Sequence, residues 1–187
     1  YLDICALHGV RNAFEMKMRS GALNALVKAK ERGCVRNIGV SAHGIGAIEV
    51  SKDMPEIDVL FARINWSGIS MDSYQEGFLS KVVALPYVKE VARKIIPKKI
   101  VPSLSAQVES LQSSKQEQGV IMDLLQKCYD ANKSVIGMKI FGAGALVNDI
   151  EKSLRFIMPL HYVKSFLLGM LSKEEVDENL RIYENLH

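Results

Sequence analysis

Five strand-like segments, each followed by a segment with helical spacing, constrain the fold of this chain more than any single motif does. The strand-like segments read LDICALHG, VRNIGVSAHG, DVLFARINWSG, SVIGMKIFGAGAL and YVKSFLLGM. The helical segments read GALNALVKAKERG, AIEVSKD, VIMDLLQKCYDANK, EKSLRFIM and SKEEVDENLRIY. Such alternation is typical of parallel strands joined by crossover helices. It leaves two architectures open, a doubly wound open sheet or part of a (β/α)8 barrel.

Composition predicts one globular domain over residues 1–187 and points to no charged partner. The chain is 48% apolar and 24% charged, and its net charge of +3 is too small to predict binding to nucleic acid or to a membrane. No apolar stretch is long enough to span a bilayer, and no signal peptide or metal-binding cluster stands out. The three cysteines lack a C-x-x-C spacing, which favours reduced, buried thiols and a cytoplasmic protein.

A segment at about 78–119 resembles an insertion. It separates the third strand from its helix by more residues than a βα unit usually needs, and its second half is rich in Ser and Gln. The only basic cluster in the chain runs from Lys89 to Lys99 within it. We interpret that cluster as the solvated face of a helix, which this pattern favours over a contact with an anion, a partner or nucleic acid.

Polar and glycine residues gather where the predicted strands end. In both architectures ligands bind at the carboxyl ends of parallel strands. A lone histidine there, such as His8, is more often structural than catalytic, whereas a charge such as Lys139 in an apolar strand is costly unless it faces a cleft or a partner. The GAGAL stretch does not meet the dinucleotide fingerprint of an open sheet. Ser172 and Glu175 form a predicted capping box for the last helix.

Taken in this order, YLDICALHG, GVSAHG, DVLFARIN, VIGMKIFGAGAL, SLRFIM and GMLSKEEVDENL resemble the aldo-keto reductase family. The resemblance covers most of the chain outside the segment at about 78–119. It implies a partial (β/α)8 TIM barrel of about five strands, running from the fourth strand of that family's barrel to the eighth, with the N-terminal part absent. It also implies an NAD(P)-dependent oxidoreductase that transfers hydride between a carbonyl and an alcohol.

The resemblance assigns roles to individual residues. His8 would orient the substrate carbonyl as the catalytic residue, and Trp66 would wall the pocket of a small carbonyl substrate. Ser41 would bond the nicotinamide carboxamide, although Ala42 follows it where the family often has Asn. The remaining cofactor contacts implied are Met138, Lys139, Phe141, Gly142, Gly144, Gly169, Leu171, Ser172, Lys173, Glu178 and Asn179.

Two departures limit what the resemblance implies. Glu175 occupies the place of an Arg that often reads the 2′-phosphate of NADP, and its carboxylate would repel that phosphate. NADP, with NAD as the alternative, is therefore the cofactor that the family implies rather than one that these residues indicate. The Tyr, Asp and Lys that complete the family's catalytic group belong to the absent part, which leaves the predicted enzyme incomplete. The rival hypothesis is a catalytically inactive half-barrel that serves as a binding or assembly module and self-associates through its open strand edges.

Overall fold

The computed structural model describes residues 1–69, 71 and 115–186 of the chain. Most of the insertion-like segment, including the cluster from Lys89 to Lys99, lies outside these residues. The strands are β1 Leu2–Val10, β2 Val35–Ala42, β3 Val59–Arg63, β4 Ser134–Met138 and β5 Val163–Phe166. The helices are α1 Ala13–Met18, α2 Ser20–Glu31, α3 Ile45–Lys52, α4 Lys115–Asp130, α5 Ile150–Ile157 and α6 Lys173–Glu184, with a 3₁₀ turn at Gly142–Gly144.

All five strands form one parallel sheet in the order β1-β2-β3-β4-β5. Each strand therefore pairs with the strands before and after it in the sequence. A doubly wound sheet would instead reverse direction at a switch point within the strand order. The sequential order confirms the predicted partial barrel, and it places the carboxyl ends of all five strands at one edge, which we call the carboxyl rim.

The two faces of the sheet carry different side chains. Ile38, Val40 and Leu60 are buried on the face that the helices cover. The opposite face carries Gly39, where an added Cβ would lie 3.1 Å from Ala6 Cβ and 3.2 Å from Phe61 Cε2. Glycine at this position therefore lets the side chains of the two neighbouring strands meet across it.

The helix-side core includes two fully buried residues of α4, Leu125 and Cys128. Burial raises the pKa of the Cys128 thiol to about 11, so this cysteine is protonated and unreactive at neutral pH. All three cysteines are free. The prediction of buried thiols is wrong for Cys34, which is exposed because it lies in the turn before β2, and Cys5 is only half-buried.

Several elements end earlier than the apolar runs suggest. β4 stops at Met138 because Lys139 adopts a left-handed backbone with φ of 56°, which a strand cannot continue. β3 stops at Arg63 and β5 at Phe166. The rest of each predicted strand is loop at the carboxyl rim, so the structure gives the rim more irregular backbone than the sequence indicates.

Helix α1 is an element that our sequence analysis did not predict. Asn12 caps it by accepting a hydrogen bond from Glu15 N at 2.9 Å, and the Glu15 carboxylate accepts from Arg11 N at 2.9 Å. Glu15 is buried and also pairs with the side chains of Arg11 and Arg19. The N-x-x-E spacing is a capping signal, but six residues of helix are too few for periodicity to reveal.

None of the helices in the described ranges is long and apolar enough to cross a membrane.

The buried face of α4 predicts a large effect of truncation. Leu125→Ala removes a fully buried side chain and is expected to lower the free energy of unfolding by about 3 kcal/mol. Val120→Ala, at a half-exposed position of the same helix, is the matched control and is expected to change it by less than about 0.5 kcal/mol. Urea denaturation followed by circular dichroism measures both. Equal losses in the two variants would contradict this packing of α4.

Candidate functional site

Four adjacent strands bring polar side chains to the carboxyl rim. His8 lies near the end of β1, Ser41 near the end of β2, Arg63 ends β3, and Lys139 directly follows β4. Because the strands are parallel and adjacent, residues far apart in the sequence share this edge. The rim is therefore the place in the described structure where groups of different chemistry converge.

Two histidines and an arginine form a continuous contact at the rim. The rings of His8 and His43 pack edge to face with centroids 5.5 Å apart. His43 Nδ1 lies 2.6 Å from Arg63 Nη2. Arg19 donates to the backbone carbonyl of His8 and so fixes the strand end that carries the ring. His8 itself is exposed, which leaves its ring accessible from solvent.

The His43 ring is uncharged at neutral pH. Partial burial lowers its pKa to about 4, and the positive charges of Arg63, Lys139, His8 and Arg11 act in the same direction. A neutral imidazole has one acceptor nitrogen, so His43 Nδ1 accepts the hydrogen bond that Arg63 donates. The sequence patterns assigned no role to His43 and did not single out Arg63. A charged residue in an apolar strand is the signal that could have identified Arg63, but we applied it only to Lys139.

The predicted contacts to the nicotinamide lie side by side. Ser41 is buried, and its Oγ lies 3.9 Å from Met138 Sδ. A thioether is a weak hydrogen-bond acceptor, so this contact uses little of the capacity of the hydroxyl. Met138 is half-buried at the end of β4. The structure thus places the two residues together, as their predicted role at one ring requires.

The turn after β4 contains four residues in the left-handed region. Lys139, Gly142, Ala143 and Gly144 have φ angles of 56°, 56°, 58° and 101°. Such conformations cost about 1–3 kcal/mol in non-glycine residues and are concentrated at functional sites. An added Cβ at Gly144 would meet no atom within 4 Å, so the backbone there is open to an incoming group. Phe141 is buried in the hydrophobic core and so holds the turn against it.

The start of α6 is closed by its own side chains. Ser172 Oγ accepts from Glu175 N at 3.3 Å, which confirms the predicted cap. The Glu175 carboxylate accepts from Leu171 N at 2.7 Å. The backbone N–H of Glu174 and the Ser172 hydroxyl lower the pKa of Glu174. Negative charge is therefore already concentrated where a phosphate would approach this helix.

The other predicted contacts of the last segment fall into two groups. Gly169, Leu171 and Lys173 are exposed, and Lys173 Nζ pairs with Asp177 at 2.9 Å. Asn179 is buried on α6, and its Oδ1 has no hydrogen-bond partner. Glu178 beside it is exposed. Gly169, Leu171 and Lys173 come between β5 and the first turn of α6, whereas Glu178 and Asn179 lie further along the helix. No described contact joins any of them to His8 or Ser41.

Trp66 lies in the loop after β3, under a lysine of α5. Lys152 Nζ lies 3.2 Å from the centroid of the indole ring, a cation–π contact, and the indole Nε1 is buried without a partner. The neighbouring Asn65 is fully buried and holds the loop by donating to Ile69 O at 2.8 Å. Lys152 thus covers one face of the Trp66 ring, which was predicted to line the substrate pocket.

The residues present fit a bound dinucleotide at several points. The open backbone at Gly144 and Gly169 admits a close anion, since neither position would place a Cβ against another atom. Asn179 Oδ1 has no partner but is fully buried, so it is not open to an exocyclic amine in this structure. Leu171 is 96% exposed, which offers an apolar surface for a base to cover. No group of three or more potential metal ligands occurs within residues 1–69, 71 and 115–186.

Comparison with known proteins supports the fold. No protein-family model and no curated protein matches the sequence. Two solved structures, both described as a "putative aldo-keto reductase" from Pseudomonas aeruginosa, match with a TM-score of 0.58 at 11% identity. The match covers 98% of this chain but only 52% and 51% of those chains, so this chain spans about half of their length. At this identity the likeness shows a shared fold, in agreement with the predicted resemblance.

The depressed pKa of His43 predicts a pH dependence of stability. Because the folded pKa of about 4 lies below the ordinary 6.5, the unfolded chain binds this proton more readily. The contribution of the uncharged His43 ring to the free energy of unfolding is fully present above about pH 6.5 and is lost as the pH falls towards 4. Between about pH 7 and about pH 5, the parent protein is expected to lose up to about 2 kcal/mol of its free energy of unfolding through His43, after allowance for solvent screening. His43→Gln is expected to lack this loss.

Urea denaturation at about pH 7 and about pH 5 measures the difference. His161→Gln is the control, because His161 is exposed at the opposite end of the sheet, just before β5. An unchanged pH dependence in His43→Gln would show that the ring is not held neutral.

Proposed function

We propose that this chain forms the cofactor-side part of an aldo-keto reductase-type barrel, an NAD(P)H-dependent oxidoreductase acting on a small carbonyl substrate. The observation that carries the proposal is the convergence of His8, Ser41, Met138 and Lys139 at one rim of a five-stranded partial barrel. Their order along the chain matches the order of the family's functional positions. The activity belongs to the complete barrel, of which this chain spans about half.

The glycine turn after β4 and the start of α6 would hold the dinucleotide. Gly144 leaves the exposed backbone of the turn open to a pyrophosphate without a side chain between, whereas Gly142 is buried. The N–H groups of both glycines already donate within the turn, to Lys139 O and Phe141 O. Ser41 would bond the carboxamide, and Met138 would lie against the ring as an apolar, polarisable surface. The Glu175 carboxylate, held at Leu171 N, would repel a 2′-phosphate and so disfavours NADP. The family resemblance favours NADP, and we therefore propose that either cofactor binds.

When bound, the nicotinamide supplies the hydride that reduces the substrate carbonyl. The exposed ring of His8 would donate a hydrogen bond to the carbonyl oxygen and so fix its position. None of the tyrosines in the described part of the chain lies at the carboxyl rim; they are Tyr1, Tyr129, Tyr162 and Tyr183. The acid that protonates the oxygen would therefore come from outside the described residues, and His8 serves to orient the substrate.

Dinucleotide binding tests the proposal directly. Trp66 is the only tryptophan of the chain and lies at the rim, so its fluorescence reports on this site. We expect saturable quenching by both NADPH and NADH. Gly144→Val is expected to weaken binding about tenfold or more, because φ of 101° is strained for a β-branched residue in the turn.

Gly119→Ala is the matched control. Gly119 lies in α4, an added Cβ there meets no atom within 4 Å, and its φ is not in the left-handed region. It should leave dinucleotide affinity unchanged. The absence of saturable binding of either dinucleotide by the full-length protein would end the proposal.

The open edge of β1 supports a second candidate, a catalytically inactive half-barrel that assembles with a second copy. β1 is nine residues long and pairs only with β2 within the described residues. Leu2 is 57% exposed and Ile4 36% exposed along it. A long, exposed and apolar edge strand is a template for pairing with another chain.

Sedimentation velocity separates the two candidates. The assembly function predicts a dimer that Ile4→Lys converts to a monomer, because a charge on an edge strand opposes pairing. Met18→Lys, at a more exposed apolar position on α1, is the control and should leave the dimer intact. A monomer at all accessible concentrations would exclude the assembly function.

A further inference from the structure

We infer that Arg19 is a positioning residue for His8: held by the buried carboxylate of Glu15, it fixes the irregular end of β1 that carries the His8 ring. The inference rests on the proposed function for the role of His8, which is to orient the substrate carbonyl. It adds two residues, Glu15 and Arg19, to which neither the sequence motifs nor the comparisons assign a role.

The first argument is a β-bulge at His8. β1 advances by three residues from Leu7 to Val10, while the paired stretch of β2, Val40–Ala42, advances by two. Strict alternation would place Leu7 and Val10 on opposite faces of the sheet, whereas both are buried in the hydrophobic core. Gly9 makes the bulge possible with a left-handed φ of 67°. Bulges next to binding sites re-aim a side chain, and the exposed side chain between these two buried residues is that of His8.

The second argument is that Arg19 bonds the bulge itself. Its guanidinium donates to the carbonyl oxygen of His8 and, at 3.4 Å, to that of Gly9. A bulge locally disrupts the hydrogen bonds between strands, so other groups are needed to restrain its peptides. The planar fork of an arginine carries several donors in fixed geometry and can reach two successive carbonyls at once. Arg19 therefore restrains the backbone that sets the direction of the His8 side chain.

The third argument is that Arg19 is itself held in place. The Glu15 carboxylate lies 3.8 Å from its guanidinium, one helical turn earlier in the chain. Only 4% of Glu15 is exposed, and a buried charge is costly unless it is paired and hydrogen-bonded. The same carboxylate accepts from Arg11 N at 2.9 Å and pairs with the Arg11 side chain at 3.3 Å. Glu15 thus ties Arg19 to the loop that follows β1.

The fourth argument is that the ring facing His8 is fixed by separate bonds. His43 N donates to Val10 O at 2.6 Å, and Ala47 N donates to Arg11 O at 3.1 Å. These bonds join the loop after β1 to the loop after β2 and do not involve the Arg19 side chain. The edge-to-face contact of His43 with His8, at 5.5 Å between centroids, therefore reports the orientation of the His8 ring.

NMR spectroscopy of the full-length protein tests the inference without substrate or cofactor. The nuclear Overhauser effect between the ring protons of His8 and His43 measures their contact. Arg19→Gln is expected to reduce its intensity by about half or more, because the released His8 side chain divides its time among several rotamers. Arg32→Gln is the matched control and should leave the intensity unchanged. Arg32 also donates to a backbone carbonyl, that of Lys28 at 3.3 Å, but it is exposed and lies just before β2 begins.

Reduction of benzaldehyde by the same full-length variants, with NADPH or NADH as the hydride donor, tests the link to the reaction. Arg19→Gln is expected to lower kcat about tenfold or more, because misplacing a group that contacts the substrate is costly. The KM for the dinucleotide should stay unchanged, since most of its predicted contacts follow β4 and β5. Arg19→Lys should recover part of kcat, because an ammonium group can still donate to one of the two carbonyls.

Each outcome decides a separate point. No ring contact in the parent protein, or equal intensity in the parent and folded Arg19→Gln, overturns the inference. If Arg19→Gln fails to fold, Arg19→Lys is used; its ammonium group cannot span both carbonyls, so an undiminished contact overturns the inference as well. A weakened contact with an unchanged kcat overturns the role of Arg19 in the reaction but leaves the proposed function standing. A weakened contact in a protein that binds no dinucleotide leaves the positioning of His8 standing and removes the proposed function.

Discussion

The parallel pairing of five strands in sequential order is the constraint on which the rest of this structure depends. Each strand end then lies beside the next, so side chains from positions 8 to 139 share one edge. The close approach at Gly39 shows what this pairing requires locally, because neighbouring strands contribute Ala6 and Phe61 to the same small space. A change in strand order would separate every group of the rim.

The rim combines groups that a purely structural edge would avoid. It has a buried arginine, a histidine held neutral, and a turn with two non-glycine residues in the left-handed region, Lys139 and Ala143. Each of these lowers stability, and each places a polar group or a left-handed backbone at the same edge. The fully apolar packing of α4 against the other face of the sheet offsets these costs. The apolar core thus lies on the face of the sheet that the helices cover, whereas the polar and strained groups lie at its carboxyl rim.

The sequence predicted the sheet, its parallel strands and the capped last helix, since these follow from local periodicity and capping signals. It also placed His8, Ser41, Met138 and Lys139 at strand ends, which the structure brings to one rim. It did not reveal helix α1, which is too short for periodicity, or the left-handed turn that ends β4 early. Nor did it reveal the contact between His43 and Arg63 or that between Lys152 and Trp66. Both contacts join residues of different segments, which only tertiary packing brings together.

The bond from Leu171 N to the Glu175 carboxylate gives the last helix an internal ligand. Any phosphate that approaches this backbone must compete with a carboxylate tethered only four residues away, whose effective concentration is high because the connection is short. Nucleotide occupancy would then be coupled to the rotamer of one glutamate. For the proposed dinucleotide this glutamate would be a competitor within the chain, and it would raise the ligand concentration needed to open the helix start.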